Sequence, residues 1–593
     1  MSPSDGQKKL GGSGEDPSKN EIDFEKNQAA NSYLLENNET IRDPVQGDIS
    51  ITLLERAIID TEEFQRLRKI LQLGACHFVY PGATHTRFSH SLGTLHMATK
   101  MYEMCNINHE KYSTSTLLQV TKYQQFLIRI TALIHDLAHV PFSHTLTREG
   151  GINPEEEWDN VYLMNTLIGD ENAEVRKKIF DIMTKAGITK IQFNQFMADL
   201  KDCLTKNKDF RYQFVIDMVS NTLCADLLDY VLRDSYYCGL KERIGDRFLS
   251  YLGIVSLDPS KNDKNDGSFT KDITQTNGHL VLLSYRIEKD TKNPSIPKPV
   301  ESKRDIQSEA VDLLRKRFSI AEKVYFHRTK IAASAMIIEA VASHGKFKEK
   351  PLKYGDDSFI NELASSSDDR TKNLIGNLSR RNIYKPIYMI KHITEDDSSI
   401  QSDKLWGEGG IYHTYRKPNE RLKIEKKFEE LFELGPGNVV IYCPDREMNL
   451  KKFEMIVQPG ERSKIRRLRD TLDSVRSEEI DAVEKSYNQL WSFYVFVNPE
   501  KLDPSDIQSQ KVKDFVGLCE STFGLSNEIR SLSNIIGKDE TDLIAKPLVA
   551  EIERETGKVV PFKLVTEVME ESRRDGWKTD KKRIKEEIKG RMT

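Results

Sequence analysis

Three shortages bound what this 593-residue chain can be. No run approaches the ~20 consecutive apolar residues of a membrane span. The opening MSPSDGQKKLGGSGEDPSKNE has no apolar stretch of the kind a secretory leader needs. Charge of one sign is also lacking: 88 Lys and Arg against 92 Asp and Glu leave a net charge of −4. That balance offers no global attraction to nucleic acid or to an anionic membrane, so any polyanion must be met by a local basic pocket. Cysteine is scarce, with seven residues at 76, 105, 203, 224, 238, 443 and 519 and no C-x-x-C. Reduced thiols of a cytoplasmic protein are expected, not a disulfide frame or a zinc knuckle.

What the chain has is length and helical patterning. It is too long for one ordinary core, so two or three domains are expected. Residues 1–45 are rich in Gly, Ser, Asn, Asp, Glu and Lys and read as a disordered tail. Residues 46–345 read as a helical core. ITLLERAIIDTEEFQRLRKILQL carries apolar groups at helical spacing, and TLLQVTKYQQFLIRITALIHDLAHV reads as a long buried helix. GHLVLLSYRI, Gly278 to Ile287, reads as one strand after the turn-rich DPSKNDKNDGS. SEAVDLLRKRFSIAEKVYFHRTKIAASAMIIEAVASHG reads as a long helical stretch stopped at Gly345. Residues 346–500 read as an α+β lobe with strands at KPIYMIKHI, GNVVIYCP, KFEMIVQP and LWSFYVFVNP, and residues 501–593 as a helical extension. The fold class expected is mainly α: a helical core with a small β hairpin or sheet, plus the α+β C-terminal region.

Of 13 histidines, eight fall between His77 and His144. In ALIHDLAHVPFSHTL, three histidines and an aspartate interrupt an apolar segment, where burying ionisable groups is costly unless they are paired or ligate a metal. His135 and His139, four apart, share a helix face. His90 lies on the preceding helical run, RFSHSLGTLHMATKM. His90, His135 and Asp136 supply imidazole and carboxylate donors suited to Fe, Mn, Ni or Zn. A fourth donor is needed, and CADLLDYVLRDSYYCG offers Asp226 with Asp229 and Asp234 nearby.

FQRLRKILQLG, YPGATHTRFSHSLG, HDLAHVPFSH and ADLLDYVLRDSYYCG resemble the HD-domain metal phosphohydrolases, and within them the deoxynucleoside triphosphate triphosphohydrolases. The resemblance covers about residues 40 to 390 and is read without the SAM domain that some members carry. It implies an HD-domain core and metal ligands His90, His135, Asp136 and Asp226. With no histidine between His144 and His279, a single divalent transition metal is expected, with Mg for the triphosphate.

The resemblance also assigns roles in the pocket. Arg87 clamps the α-phosphate, His139 contacts it, and His144 gives a proton to the leaving 5′ oxygen. The family often supports that histidine with an Asp three residues on, where this chain has Thr147, and with a downstream His-Glu pair. The nearest counterpart here is NPEEEWDN, with Glu155 as the substitute. Gln72 and Asp234 take the 3′-hydroxyl, while Leu73 and Tyr230 pack on the sugar. Tyr325 crowds C2′ and Arg317 faces the triphosphate. Leu227 stands where a phosphate-binding lysine is expected. Asp60, Gln65 and Arg68 match residues that read a guanine activator at a subunit interface, with helix capping and salt bridging as the competing reading.

The activity implied is metal-dependent hydrolysis of deoxynucleoside triphosphates to deoxynucleoside and triphosphate, by a homo-oligomer, dimer or tetramer, without a membrane. It suits nucleotide-pool control or antiviral defence. Open alternatives are an HD phosphohydrolase acting on another nucleotide or on nucleic-acid ends, and a nucleotide sensor with weak catalysis. The balanced net charge weighs against nucleic acid.

Overall fold

In the computed structural model of the chain, the described residues are 17–112, 117–146, 160–242, 245, 247–255, 278–283, 285–289, 297–345, 347, 351–393, 400–446, 456–458, 466–472, 474–529, 552, 568 and 581–591. From residue 17 onward, the tail expected to reach residue 45 is instead ordered. Ile22, Phe24, Ala30 and Leu34 are buried in the main core, and Asn27 donates to Ala186 O at 3.0 Å. A polar composition hid this because the four inward apolar residues are spaced among exposed polar neighbours. Strands β1 (Glu39–Asp43) and β2 (Gly47–Ile51) then form an antiparallel hairpin. Its turn is tied by Asp43 Oδ1, which accepts from Val45 and Gln46 N–H at 2.9 and 2.8 Å. Gly47 closes the turn at φ +78°, a conformation open to glycine.

The helical core follows. The run expected at residues 51–73 is two short helices, α1 (Leu53–Ile59) and α2 (Glu62–Arg66), because Thr52 and Thr61 each cap a new start. Helix α3 (Arg87–Tyr112) packs along α4 (Lys122–Ile134). Helix α4 starts later than the apolar run suggests, at the Thr121–Gln124 capping box, and every residue from Phe126 to Ile134 is buried. A helix apolar on all sides belongs inside a core. Its one buried cation, Arg129, is neutralised by Glu55, with Nε–Oε1 and Nη2–Oε2 both at 2.7 Å.

Helices α5 (Asn160–Gly169), α6 (Glu174–Lys185), α7 (Lys190–Leu204) and α8 (Gln213–Ser220) lead to α9 (Ala225–Tyr237), which packs on α3. Close approach of these two helices requires glycine at position 93. A Cβ there would lie 1.9 Å from Asp229 Oδ1 and 2.4 Å from Arg233 Nη2.

The single strand expected at residues 278–287 is two strands in different sheets. Strand β4 (His279–Leu283) pairs antiparallel with β3 (Leu252–Val255), whereas β5 (Tyr285–Lys289) pairs with β6 (Pro297–Ser302). The turn-rich stretch 258–268 lies outside the described residues. The helical stretch beyond is interrupted: α10 (Arg304–Ile320) ends in a wide π turn, Ala321–Tyr325, before α11 (Arg328–His344). Such turns re-aim side chains, and this one carries Tyr325.

In the C-terminal lobe, α12 (Asp356–Ala364), α13 (Asp369–Ser379) and α14 (Pro418–Leu431) pack near a three-stranded antiparallel sheet of order β7 (Lys385–Lys391), β11 (Ser492–Val497), β8 (Val439–Tyr442). These are three of the expected strands. The fourth, β9 (Ile456–Gln458), leaves the lobe and pairs parallel with β4 of the core, with β10 (Arg466–Arg467) beyond it. Buried Arg370 joins the lobe elements, bonding Glu339 of α11 at 2.8 Å and Glu425 and Glu429 of α14 at 2.5 and 2.6 Å. Helix α15 (Ser474–Asn488) reaches back to α10, with Arg315 and Glu479 2.7 Å apart. Helix α16 (Gln510–Phe523) and a last helix, Lys581–Arg591, fall in the expected helical extension.

Candidate metal centre

Three elements converge. Helix α3 supplies Arg87 and His90. The end of α4 delivers His135, its C-cap, and Asp136, followed by a tight turn carrying His139 and His144. Helix α9 supplies Asp226, Asp229 and Asp234. His90 Nε2 lies 3.6 Å from Asp136 Oδ2, and His135 Nε2 lies 3.5 Å from Asp136 Oδ1. Asp226 Oδ1 lies 3.1 Å from His90 Nε2 and 3.9 Å from His135 Nε2. Bonds of ~2.1 Å in tetrahedral geometry separate donor atoms by about 3.4 Å, so these spacings fit one divalent cation. Ligating atoms of His90, His135 and Asp136 all lie within 4.8 Å of one another.

The tautomers fit as well. Nδ1–H of His135 donates to Ala132 O at 2.8 Å, and Nδ1–H of His90 donates to Asp229 Oδ2 at 2.9 Å. Each Nε2 lone pair is thereby turned toward the shared gap. His135 Nε2 is buried with no hydrogen-bond partner among the described residues. The electrostatics point the same way. Burial works against a charged His90, yet hydrogen bonds to Asp226 and Asp229 and the charge of Asp136 push it up to about 10. Burial opposes ionisation of Asp136, but Arg87, His135 and His139 outweigh it and hold the carboxyl well below the usual range. A nest of carboxylates that draws a proton onto a histidine is a nest that favours a cation.

Around the ligands lies a ring of supports. Asp229 is gripped by Arg233 at 2.8 and 3.0 Å, Arg233 by Asp43 at 2.8 and 3.1 Å, and Asp229 Oδ1 accepts from Gln46 at 2.7 Å. The β1–β2 turn is thus wired through Asp229 to His90. Arg87, 2% exposed, donates through Nη1 to Asp136 and through Nε to Ser143 Oγ at 2.7 Å. Its Nη2 is buried without a partner among the described residues. His139 Nε2 lies 3.0 Å from Asp136 Oδ1, and its ring meets that of half-buried His144 edge-on at 5.1 Å.

About two turns along α9 from Asp226, buried Asp234 takes Tyr325 OH on Oδ2 at 2.5 Å and His85 Nε2 on Oδ1 at 2.8 Å. Gln72 Oε1 is buried and has no partner among the described residues. Arg317 is 9% exposed, and the phenols of Tyr230, Tyr487 and Tyr325 act on its charge. Leu73 and Tyr230 are partly buried against the core, and Leu227 is 2% exposed. Glu155 and Thr147 lie outside the described residues. Asp60, Gln65 and Arg68 are tied locally. Asp60 accepts from Arg56 at 2.7 Å, Gln65 donates to Ile59 O at 2.7 Å, and Arg68 donates to Gln65 at 2.9 Å while covering the Phe88 ring at 3.5 Å.

Sequence reading missed His85, Asp43, Arg233 and the support role of Asp229. His85 stands in the quoted YPGATHTRF, and Arg233 sits one turn after Asp229, a spacing that pairs charges on a helix. Nothing in the sequence announces that Asp43, 190 residues away, completes the chain.

A family model described as the HD associated region matches residues 302–522. Among proteins of similar sequence is an uncharacterised protein of Methanocaldococcus jannaschii, 26% identical over 519 residues, which are 87% of this chain and 91% of that protein. A deoxynucleoside triphosphate triphosphohydrolase homolog of Dictyostelium discoideum is 25% identical over 62% of this chain and 61% of its own length. The deoxynucleoside triphosphate triphosphohydrolase of Mus musculus is 23% identical over 78% of this chain and 72% of its own. No described helix is long and apolar enough to cross a membrane. Taken with the His-His-Asp cluster, these similarities mark the chain as an HD-domain phosphohydrolase similar to the deoxynucleoside triphosphate triphosphohydrolases.

Proposed function

We propose that this protein hydrolyses deoxynucleoside triphosphates to the deoxynucleoside and inorganic triphosphate. The observation carrying the proposal is that the candidate cation pocket and the Asp234–Tyr325 pair both draw on one helix, α9, with half-buried Gln72 beside Leu73 on the loop preceding α3. A phosphate at the metal ligands and a sugar at Asp234 are the two ends of one nucleoside phosphate. A divalent transition metal (Fe, Mn, Ni or Zn), when bound by His90, His135, Asp136 and Asp226, supplies Lewis acidity toward a phosphate oxygen.

The chain's own groups do the rest. Arg87 presents its unpartnered Nη2 to the α-phosphate, which satisfies a buried donor. His139 adds a second contact. His144 gives a proton to O5′ as the Pα–O5′ bond breaks and water adds to the α-phosphorus. Gln72 and Asp234 hold the 3′-hydroxyl, Leu73 and Tyr230 pack on the ring, and Tyr325 leaves no room for a 2′-hydroxyl. Arg317 faces the triphosphate with Mg²⁺. Glu155 orients His144 in this reading.

The decisive experiment is chromatography of products from each dNTP and NTP with Mn²⁺ or Mg²⁺. Equimolar deoxynucleoside and triphosphate is the expected outcome. Monophosphate with pyrophosphate, or no turnover, overturns the proposal. We propose further a cytoplasmic homo-oligomer whose Asp60–Gln65–Arg68 edge takes an activating nucleotide. Sigmoidal dependence on a mixed dNTP pool, absent in Asp60→Ala, tests that extension.

A further inference from the structure

The turn after the ligands holds a backbone conformation that L-residues avoid. Phe142 and Ser143 have φ of +55° and +51°, left-handed values that cost about 1–2 kcal/mol per residue without glycine. Something must hold this turn. Phe142 N–H donates to Asp356 Oδ1 at 2.8 Å, and the other oxygen of the same carboxylate accepts from Leu71 N–H at 2.9 Å. Leu71 precedes Gln72 and Leu73, and Phe142 precedes His144 by two residues.

Asp356 is 6% exposed and opens α12, far outside the sequence that carries the ligands and inside the HD associated match. Its neighbourhood is closely seated. A Cβ on Gly355 would fall 2.4 Å from Lys69 Cβ and 2.9 Å from Lys69 O. Arg66 spans the same seam, donating to Tyr354 O at 3.3 Å and Leu137 O at 2.9 Å. Gly74, at φ +51°, lets the Leu71 loop touch the turn, since a Cβ there would meet Phe142 O and Thr145 Oγ1 at 3.1 Å.

We propose that Asp356 is a positioning residue: its carboxylate locks the loop bearing Gln72 and Leu73 to the turn bearing His144, fixing the sugar contacts relative to the proton donor. The functional half of this statement rests on the roles proposed above for those residues. A carboxylate has two acceptors and no donor, which two inward N–H groups require. Asparagine would set its NH₂ against one of them. Burial pushes the Asp356 carboxyl up to about 6 while the Phe142 and Leu71 N–H groups hold it down.

The test compares wild type with Asp356→Asn and Asp356→Glu, the latter keeping both oxygens but displacing them. Hydrogen exchange at the Leu71 and Phe142 amides should quicken about tenfold in Asp356→Asn, with the rest of the chain unchanged. Metal content should stay the same, KM should move less than about threefold, and kcat should fall about a hundredfold, as misplacement by ~1 Å does. Asp356→Glu, should the asparagine variant not fold, must lower kcat by at least about tenfold with metal retained. Unchanged exchange, unchanged kcat, or a loss of kcat that tracks loss of metal overturns the inference. Should wild type hydrolyse no deoxynucleotide, the proposed function falls, and the exchange result alone decides whether the lock exists.

Discussion

His90 Nδ1 and Asp229 Oδ2 stand 2.9 Å apart, with neither side chain more than 1% exposed. The pair turns His90 Nε2 toward the gap it shares with His135 and Asp136. Asp229→Asn keeps an acceptor for the imidazole but removes the charge and half of the grip on Arg233. Metal affinity is expected to fall about 10–100-fold, read by competition against a chromophoric chelator. The cation itself should still bind, in contrast to His135→Ala.

Gly93 faces Asp229 and its partner Arg233 from α3. Gly93→Ala places a methyl on Asp229 and Arg233, side chains locked by hydrogen bonds and without room to retreat. Overpacking of about 1–3 kcal/mol is expected, with a lower urea midpoint and weaker metal retention together. A stable variant that loses only metal would separate the two effects.

Asp356 predicts a pH dependence of stability. Its folded-state value, about 6, lies above the ordinary carboxyl value of 3.8 because burial disfavours the charge. The native state therefore holds this proton more tightly than the unfolded chain. The associated stabilisation is full below about pH 4 and is lost as pH rises through 6, by at most about 3 kcal/mol. Asp356→Asn should flatten that part of the stability profile, measured by urea unfolding at half-unit steps of pH.

Arg370 faces three carboxylates. Arg370→Met leaves Glu339, Glu425 and Glu429 buried without a guanidinium and should cost about 3–5 kcal/mol at pH 8. Burial already holds the Glu425 carboxyl above its usual range. Protonation relieves the mutant, so its deficit should shrink as pH falls toward 5. Denaturant melts at the two pH values check both sign and size.

The candidate group was readable because ionisable residues inside apolar helices need a reason to be there, and the structure brings His90, His135 and Asp136 together as a cluster that could hold a metal. Strands β7, β8 and β11 were readable as β-branched and aromatic runs bounded by turns. Element ends were less so: Thr52, Thr61 and Thr121 start helices that periodicity alone blurs into longer ones, and the π turn before α11 leaves no compositional mark. The inward face of residues 22–34 was masked by polar neighbours. Asp356 was beyond reach for a different reason. Its partners are backbone N–H groups, one of them 214 positions away, and every sequence has those.

Strand β9 lies parallel to β4 through Leu282–Val457 and Leu283–Gln458, so a piece of the C-terminal half is woven into the catalytic half. The two halves are therefore not exchangeable cassettes. A chain shortened before residue 456 would bare an apolar strand edge open to self-association. Chimaeras between relatives should be spliced upstream of β3 or downstream of β10, never at the seam near residue 345.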